Sequence, residues 1–312
     1  MSSDATRIAV IGVGHLGRHH ARILSTMEGA RLVAAVDTVA ERAEQAVAGT
    51  DAEALTDYRQ LIGNVDAAVI AVPTELHAGI AIPFLERGTP VLVEKPMTRS
   101  IEDADRMIDA AAAGGAILAV GHTERHNPAV AAAMRLVSSP RFIEVHRLSA
   151  FPDRSLDIDV VFDLMIHDLD IILAIVQGSV SSIEAVGVPV LTPKYDIANV
   201  RLRFTTGCIA NITASRISRD RVRKIRFFQP DSYVSVDYAS QEVEGYRLVR
   251  KEPRPDIKGG AVPVERDEPL RRELADFVQA IRDGRAPLVD GQAGRRALAL
   301  ASEIAARMES IG

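Results

Sequence analysis

Five short apolar runs punctuate the first 120 residues: RIAVIGVG (7–14), RLVAAVD (31–37), DAAVIAV (66–72), PVLVE (90–94) and AILAV (116–120). The stretches between them have helical spacing. HLGRHHARILSTM (15–27) repeats Leu16, Ile23, Leu24 and Met27, and TVAERAEQAVAG (38–49), 75–87 and 100–114 follow the same habit. Strands that are apolar almost without interruption belong to a parallel sheet covered by helices on both faces. Their alternation with helices implies βαβ units and right-handed crossovers. The expected class is therefore α/β, beginning with a doubly wound parallel sheet.

Gly12-Val13-Gly14-His15-Leu16-Gly17 falls where the first strand passes into the first helix. In that setting a GxGxxG pattern points to a Rossmann-type dinucleotide site. Gly12 permits the tight turn, Gly14 lets a pyrophosphate approach the backbone, and Gly17 lets helix and strand pack closely. The turn, with His15 and Leu16, then offers free N–H groups to the phosphates. Asp37 ends the second strand about 20 residues past Gly17, the place for a carboxylate on the ribose hydroxyls of NAD. A 2′-phosphate would meet like charge there, so NAD is expected over NADP, although Arg42 lies close by. A glycine turn in a doubly wound fold without cofactor is the alternative.

From about residue 140 the pattern changes. RFIEVHRLSAF (141–151), SSIEAVGVPVL (181–191), 196–218, 222–240 and EVEGYRLVRK (242–251) read as strands, with Val200, Leu202 and Phe204 alternating with Arg201 and Arg203. TTGC (205–208) and QPDS (229–232) read as hairpin turns. Two amphipathic helices follow, at 267–284 and 291–308. The expected division is a dinucleotide-binding domain over 1–122 and, over 123–312, an α+β domain with a large open, mostly antiparallel sheet.

Composition excludes several partners. A net charge of −5 provides no general basic field for nucleic acid. No apolar run reaches the ~18–20 residues of a membrane span. The sequence has no dense cluster of metal-ligand spacing, so no metal is expected. The one cysteine, Cys208, fits a reducing cytosol. The start, MSSDATRIAVIGVG, has no basic segment leading into a cleavable apolar stretch, so no signal peptide is expected. One run is odd. DLMIHDLDII (163–172) looks like protein interior yet carries Asp163, His167, Asp168 and Asp170. A buried hydrogen-bonding group left unpaired costs roughly 1–3 kcal/mol, and a charge more.

On GVGHLGRHHA (12–21), VPTELH (72–77), EKP (94–96), HNP (126–128) and DLMIHDLD (163–170), the chain resembles the Gfo/Idh/MocA family of sugar and cyclitol oxidoreductases over nearly its whole length. EKP after a strand, with D-x-x-x-H-x-x-D some seventy residues later, is the more specific part. The resemblance implies that Lys95 faces the nicotinamide and the substrate hydroxyl. Glu94 and Pro96 hold that turn, often through a cis peptide, and Pro73, Thr74 and His77 line the cofactor near its nicotinamide ribose. Asp163 and His167 complete the catalytic group. Four residues apart, they share a helical face, with His167 as base and Asp163 orienting it. Asp163 as a simple helix cap is the alternative. Asp168 and Asp170 are expected to pair with arginines or with substrate.

The implied reaction is oxidation of a secondary alcohol without a metal, because Lys95 supplies the positive charge. The stretch 144–173 together with GHTERHNPAV resembles the subgroup that oxidises the 3-hydroxyl of UDP-N-acetylglucosamine, ahead of an aminotransferase on the route to amide-linked lipid A. Such a substrate needs donors for its pyrophosphate. Arg125, Asn127, Arg154 and Ser155 are candidates, with ordinary surface arginines and turns as the alternative. His126 stands where the family usually has an aromatic residue. A free-sugar or myo-inositol dehydrogenase, a reductase running the other way, and a non-catalytic NAD-binding regulator are the other readings. The presence of Lys95, Asp163 and His167 together argues against the last. Family members commonly pair through the second domain's sheet, so a homodimer or homotetramer is expected.

Overall fold

The structure, a computed structural model, describes residues 5–151, 158–251 and 253–310. The first elements are β1 (Thr6–Ile11), α1 (Gly17–Leu24), β2 (Ala30–Val36), α2 (Ala40–Val47), β3 (Glu53–Leu55), β4 (Ala67–Ile70), α3 (His77–Leu85), β5 (Val91–Glu94), α4 (Ile101–Gly114) and β6 (Leu118–Gly121). Then come α5 (Pro128–Met134), β7 (Phe142–Leu148), a π turn at Val161–Met165, α6 (Ile166–Ile175), β8 (Val180–Val188), β9 (Ile197–Phe204), β10 (Ile209–Ser215), β11 (Val222–Gln229), β12 (Ser232–Asp237), β13 (Glu242–Val249) and β14 (Asp256–Val262). α7 (Pro269–Asp283), α8 (Gly291–Arg307) and β15 (Glu309–Ser310) close the chain. Among the described residues no helix is long and apolar enough to cross a membrane.

The chain forms two compact units. One gathers the residues up to Thr123 with Leu270–Arg295, and the other gathers Glu124–Pro269 with the residues from Arg296 on. Helix α7, which the sequence reading placed in the second domain, thus belongs with the first. Its stripe of Leu274, Phe277 and Val278 is buried in one cluster with Ile8 and Val10 of β1, Ile23 and Leu24 of α1, and Leu92 of β5. Burial of such a stripe, worth about 1.5–3 kcal/mol per large side chain, decides where an amphipathic helix goes.

In the first unit the described strands run β3-β2-β1-β4-β5-β6, and each neighbouring pair is parallel. The order reverses between β1 and β4, because their crossovers leave in opposite directions. A crevice forms outside the carboxyl ends of strands at such a switch point. The turns after β1, β4 and β5 all leave from that edge.

In the second unit the described strands run β14-β13-β12-β11-β7-β10-β9-β8-β15. The pairings are antiparallel except β10 with β7 and β15 with β8. Val200, Leu202 and Phe204 are buried while Arg201 and Arg203 are exposed, as the alternation predicts. The buried face packs with Ile166 and Leu169 of α6 and with Leu300 and Ile304 of α8. On the opposite face Phe142, Phe228, Tyr233 and Tyr246 form a row across β7, β11, β12 and β13, with successive ring centroids 5.5, 5.1 and 6.3 Å apart. Strand β14 was not anticipated, since Lys258, Gly259 and Gly260 carry little β propensity.

The approach to the π turn is tied down by a buried ion pair. Arg216, wholly out of water, donates to Asp196 Oδ1 at 2.8 Å, to the Ile158 carbonyl at 2.8 Å and to Thr192 Oγ1 at 3.0 Å. Asp196 Oδ2 accepts from the amides of Val190, Leu191 and Thr192. Burial alone would raise the Asp196 carboxyl, but these amides outweigh it and hold the group well below the usual range. Arg216→Met should therefore destabilise the protein by about 3–5 kcal/mol at neutral pH. A depressed carboxylate contributes its stability above its unfolded pKa and loses it as pH falls through the folded value. The gap between variant and parent in urea midpoint should accordingly shrink in acid, and a gap independent of pH would contradict this account.

Candidate active site

The glycine turn has the geometry its sequence implies. Gly12 has φ +83°, and a side chain there would meet the Ala71 carbonyl and Val72 at 2.7 Å. A side chain at Gly17 would run into the Gly12 carbonyl. Helix and turn are therefore in direct contact, which only glycine allows. Around Gly14, by contrast, the space where a side chain would stand is open. Asp37, largely buried, ties the turn to the end of β2: Oδ2 accepts from the Val13 amide at 3.1 Å and Oδ1 from the Val39 amide at 3.0 Å. Arg42 Nη1 lies 3.8 Å from Oδ1. A cleft of about 740 Å³ adjoins the turn, lined by Val13, Gly14, His15, Arg18, Arg22 and Arg42 among others. An open backbone at a helix start, cationic side chains and a carboxylate with spare lone pairs fit a dinucleotide's phosphates and ribose.

Two more turns leave the same edge of the sheet. Pro73 is exposed and Thr74 half-buried just past β4, and Lys95 is half-buried just past β5. The Lys95–Pro96 peptide is cis. Glu94 turns inward, where its Oε1 lies 2.7 Å from His20 Nε2 and its Oε2 accepts from the Lys95 amide at 3.3 Å. Burial pushes this carboxyl up. The hydrogen bond and charge of His20, with the charge of Lys95, more than reverse that and leave it below its ordinary range.

His77 corrects the sequence reading. Its ring is 1% exposed and cannot line a cofactor. Nε2 lies 2.9 Å from the Val72 carbonyl and Nδ1 3.2 Å from the Met97 carbonyl, so the side chain braces the turn after β4 against the stretch after Lys95. Burial lowers its pKa, although both carbonyls favour the charged form.

The second unit resolves the oddity of 163–172. Asp168 is fully buried and receives Arg147 Nε at 2.6 Å and Nη2 at 3.0 Å. Arg147 also reaches Glu124 Oε1 at 3.1 Å and stacks over the Tyr238 ring, 5.1 Å from its centroid. Burial opposes charge on both partners. Asp168 and Glu124 hold Arg147 firmly ionised, while burial pushes Asp168 up. The short two-pronged contact is that of an ion pair, and we take Asp168 as ionised. Asp170, also buried, faces Arg125 Nη1 at 3.3 and 3.4 Å. Asp163 and His167 differ from these aspartates in being only half-buried. Asp163 sits in the π turn, and the residue at the N-cap of α6 is Met165. Such turns occur frequently at functional sites.

The expected substrate contacts fare differently. Arg125 is 8% exposed, and its charge is answered by Asp170. Asn127 is a correction: at 2% exposure it caps α5, accepting from the Ala129 amide and donating to Glu124 and the Tyr238 carbonyl. Both polar atoms of this side chain are thus engaged with the protein itself. His126 is buried. Arg154 and Ser155 lie outside the described residues. The fold thus brings Asp163 and His167 onto one helical turn of the second unit, and sets Lys95 at the strand edge of the first. Sequence reasoning missed His20 and Glu273, although both carried a signal. His20 falls in register with Ile23, Leu24 and Met27, and Glu273 falls within the stripe of Leu270, Leu274 and Phe277.

Residues 6–122 match the Gfo/Idh/MocA oxidoreductase family model, described as an NAD-binding Rossmann fold, and residues 101–229 match the Gfo/Idh/MocA C-terminal domain. The chain is 38% identical over 307 residues, 97% of each chain, to UDP-N-acetylglucosamine 3-dehydrogenase of Acidithiobacillus ferrooxidans. A solved structure of that enzyme superposes with a TM-score of 0.91 at 37% identity, over 97% of this chain and 98% of that one. The scyllo-inositol 2-dehydrogenase (NAD(+)) of Bacillus subtilis is 29% identical over 68% of each chain. The chain is an NAD-dependent oxidoreductase and belongs to the Gfo/Idh/MocA family.

Proposed function

We propose that the protein oxidises the 3-hydroxyl of UDP-N-acetylglucosamine to a ketone, as a cytoplasmic step ahead of transamination toward 3-amino lipid A precursors. The observation that carries this is similarity along 97% of both chains to a dehydrogenase named for that substrate. Lys95, Asp163 and His167, expected from the family motifs, are all present. In this reading a ring nitrogen of His167 takes the hydroxyl proton and the Asp163 carboxylate steadies the imidazolium that forms. The Lys95 ammonium stabilises the developing alkoxide. NAD, when bound, accepts the hydride. Asp37 receives the ribose hydroxyls, and Gly12, Gly14 and Gly17 with the amides of His15 and Leu16 receive the pyrophosphate. Pro73 and Thr74 lie along the nicotinamide side. The aromatic row on the outer sheet supports a homodimer or homotetramer formed through that face.

One observation favours a second reading, a free sugar or inositol as substrate. Arg125 and Asn127, expected to meet a pyrophosphate, are buried and engaged with the protein. A neutral polyol would not need them.

The deciding experiment follows NADH formation with UDP-N-acetylglucosamine, N-acetylglucosamine, glucose and myo-inositol, with glutamate and an aminotransferase pulling the ketone forward. Turnover confined to the UDP-sugar is the expected result; turnover with myo-inositol alone would transfer the assignment. Lys95→Ala and His167→Ala should each lower kcat by about 10²-fold or more with NAD binding retained, and a fully active variant would remove that residue from the chemistry. Asp37→Ala should weaken NAD relative to NADP, as read by the ratio of their dissociation constants. An unchanged ratio would dissociate Asp37 from the ribose.

A further inference from the structure

Three buried side chains of the first unit converge behind the Glu94–Lys95–Pro96 turn. His20 comes from α1, Glu94 from the end of β5 and Glu273 from α7, and one polar atom from each lies within 4.8 Å of the others. Their exposures are 0%, 6% and 2%. The His20–Glu94 hydrogen bond joins two of them, and Glu94 also accepts from the Lys95 amide. Glu273 completes the third side. Neither of its carboxyl oxygens makes a hydrogen bond of normal geometry to the described residues, and the same holds for His20 Nδ1.

Two carboxylates this close and this dry do not both stay ionised, and their surroundings sort them. Glu94 has His20 and Lys95 as counter-charges and is held low. Glu273 faces burial first and then the charge of Glu94, with Asp276 on its own helix adding to both; only the Thr123 hydroxyl opposes, and its carboxyl is pushed well above the usual range. Asp276 is itself engaged by Arg285 at 2.7 Å. His77, which also feels Glu94, has its pKa lowered by burial. Of the two carboxyls, Glu94 therefore favours the ionised form and Glu273 the carboxylic proton.

We propose that Glu273 is a positioning residue for Lys95, a neutral carboxylic acid that closes the His20–Glu94 pair and keeps the Glu94 carboxylate on the Lys95 amide. An ionised Glu273 would compete with Glu94 for His20 and loosen the turn that presents the lysine. The functional half of this rests on the catalytic role of Lys95 proposed above; the protonation half does not.

The test uses Glu273→Gln, which keeps a neutral donor of the same shape, and Glu273→Met, which keeps volume and apolarity alone. The parent protein should show a protonated-carboxyl infrared band that is absent from Glu273→Gln. A group whose folded pKa is raised loses its stability contribution as pH rises through that value. The thermal midpoint of the parent should therefore fall relative to that of Glu273→Gln as pH is raised above the ordinary carboxylate range. Glu273→Gln should retain kcat, while Glu273→Met should bind NAD normally and lose about tenfold or more in kcat with KM little changed, the loss expected from a misplaced catalytic group. Absence of the band, a midpoint difference independent of pH, or failure of Glu273→Gln to fold would overturn the neutral acid. Full kcat in Glu273→Met would overturn the positioning role. Stoichiometric metal in the purified protein that disappears in His20→Ala would overturn both, since a cation would then balance the carboxylates. The infrared and stability readouts are independent of substrate, so failure of the UDP-sugar reading leaves them standing.

Discussion

Arg147 lies almost wholly out of water with its guanidinium forked onto Asp168, and the helix that carries His167 is anchored through that contact. A buried charge without a partner costs several kcal/mol, so each acidic residue on the inner side of α6 commits a base elsewhere in the unit. Asp168 commits Arg147 of β7, and Asp170 commits Arg125 of the turn before α5. Through Glu124, Arg147 also draws in the start of that segment. Asp196 and Arg216 apply the same rule at the approach to the π turn. Asp163 and His167, on the same stretch of chain, are only half-buried.

The first unit solves a related problem at the edge of a parallel sheet. Turns after β1, β4 and β5 must present polar groups while their own backbones stay ordered. Glycines at 12 and 17 let the first turn touch its helix. His77 braces the second against the stretch following the third, and Glu94 with His20 ties down the third. Inward-facing polar side chains thus set the backbone from which Lys95 projects.

Much of this was legible in advance because the relevant signals are local. Nearly continuous apolar runs identify a covered parallel sheet, and glycine spacing between strand and helix identifies the dinucleotide turn. The placing of Asp163 and His167 on one stretch of helical backbone was readable from their four-residue spacing. Asn127 and His77 were misassigned for a common reason: motif position shows that a residue belongs to a site region, but its side-chain direction depends on what packs beneath it. Asn127 turned to cap a helix and His77 turned to two carbonyls.

By itself, then, the sequence determined the alternation of strands and helices and the glycine turn, which follow from backbone preference and short-range periodicity that a linear chain already contains; the family was legible through the resemblance of its motifs. Only the tertiary structure decided that α7 joins the first unit, that Arg147 rather than a ligand answers Asp168, and that Glu273 meets His20 and Glu94. Those outcomes depend on contacts between residues far apart in the chain, where burial makes each charge choose a partner that no local pattern specifies.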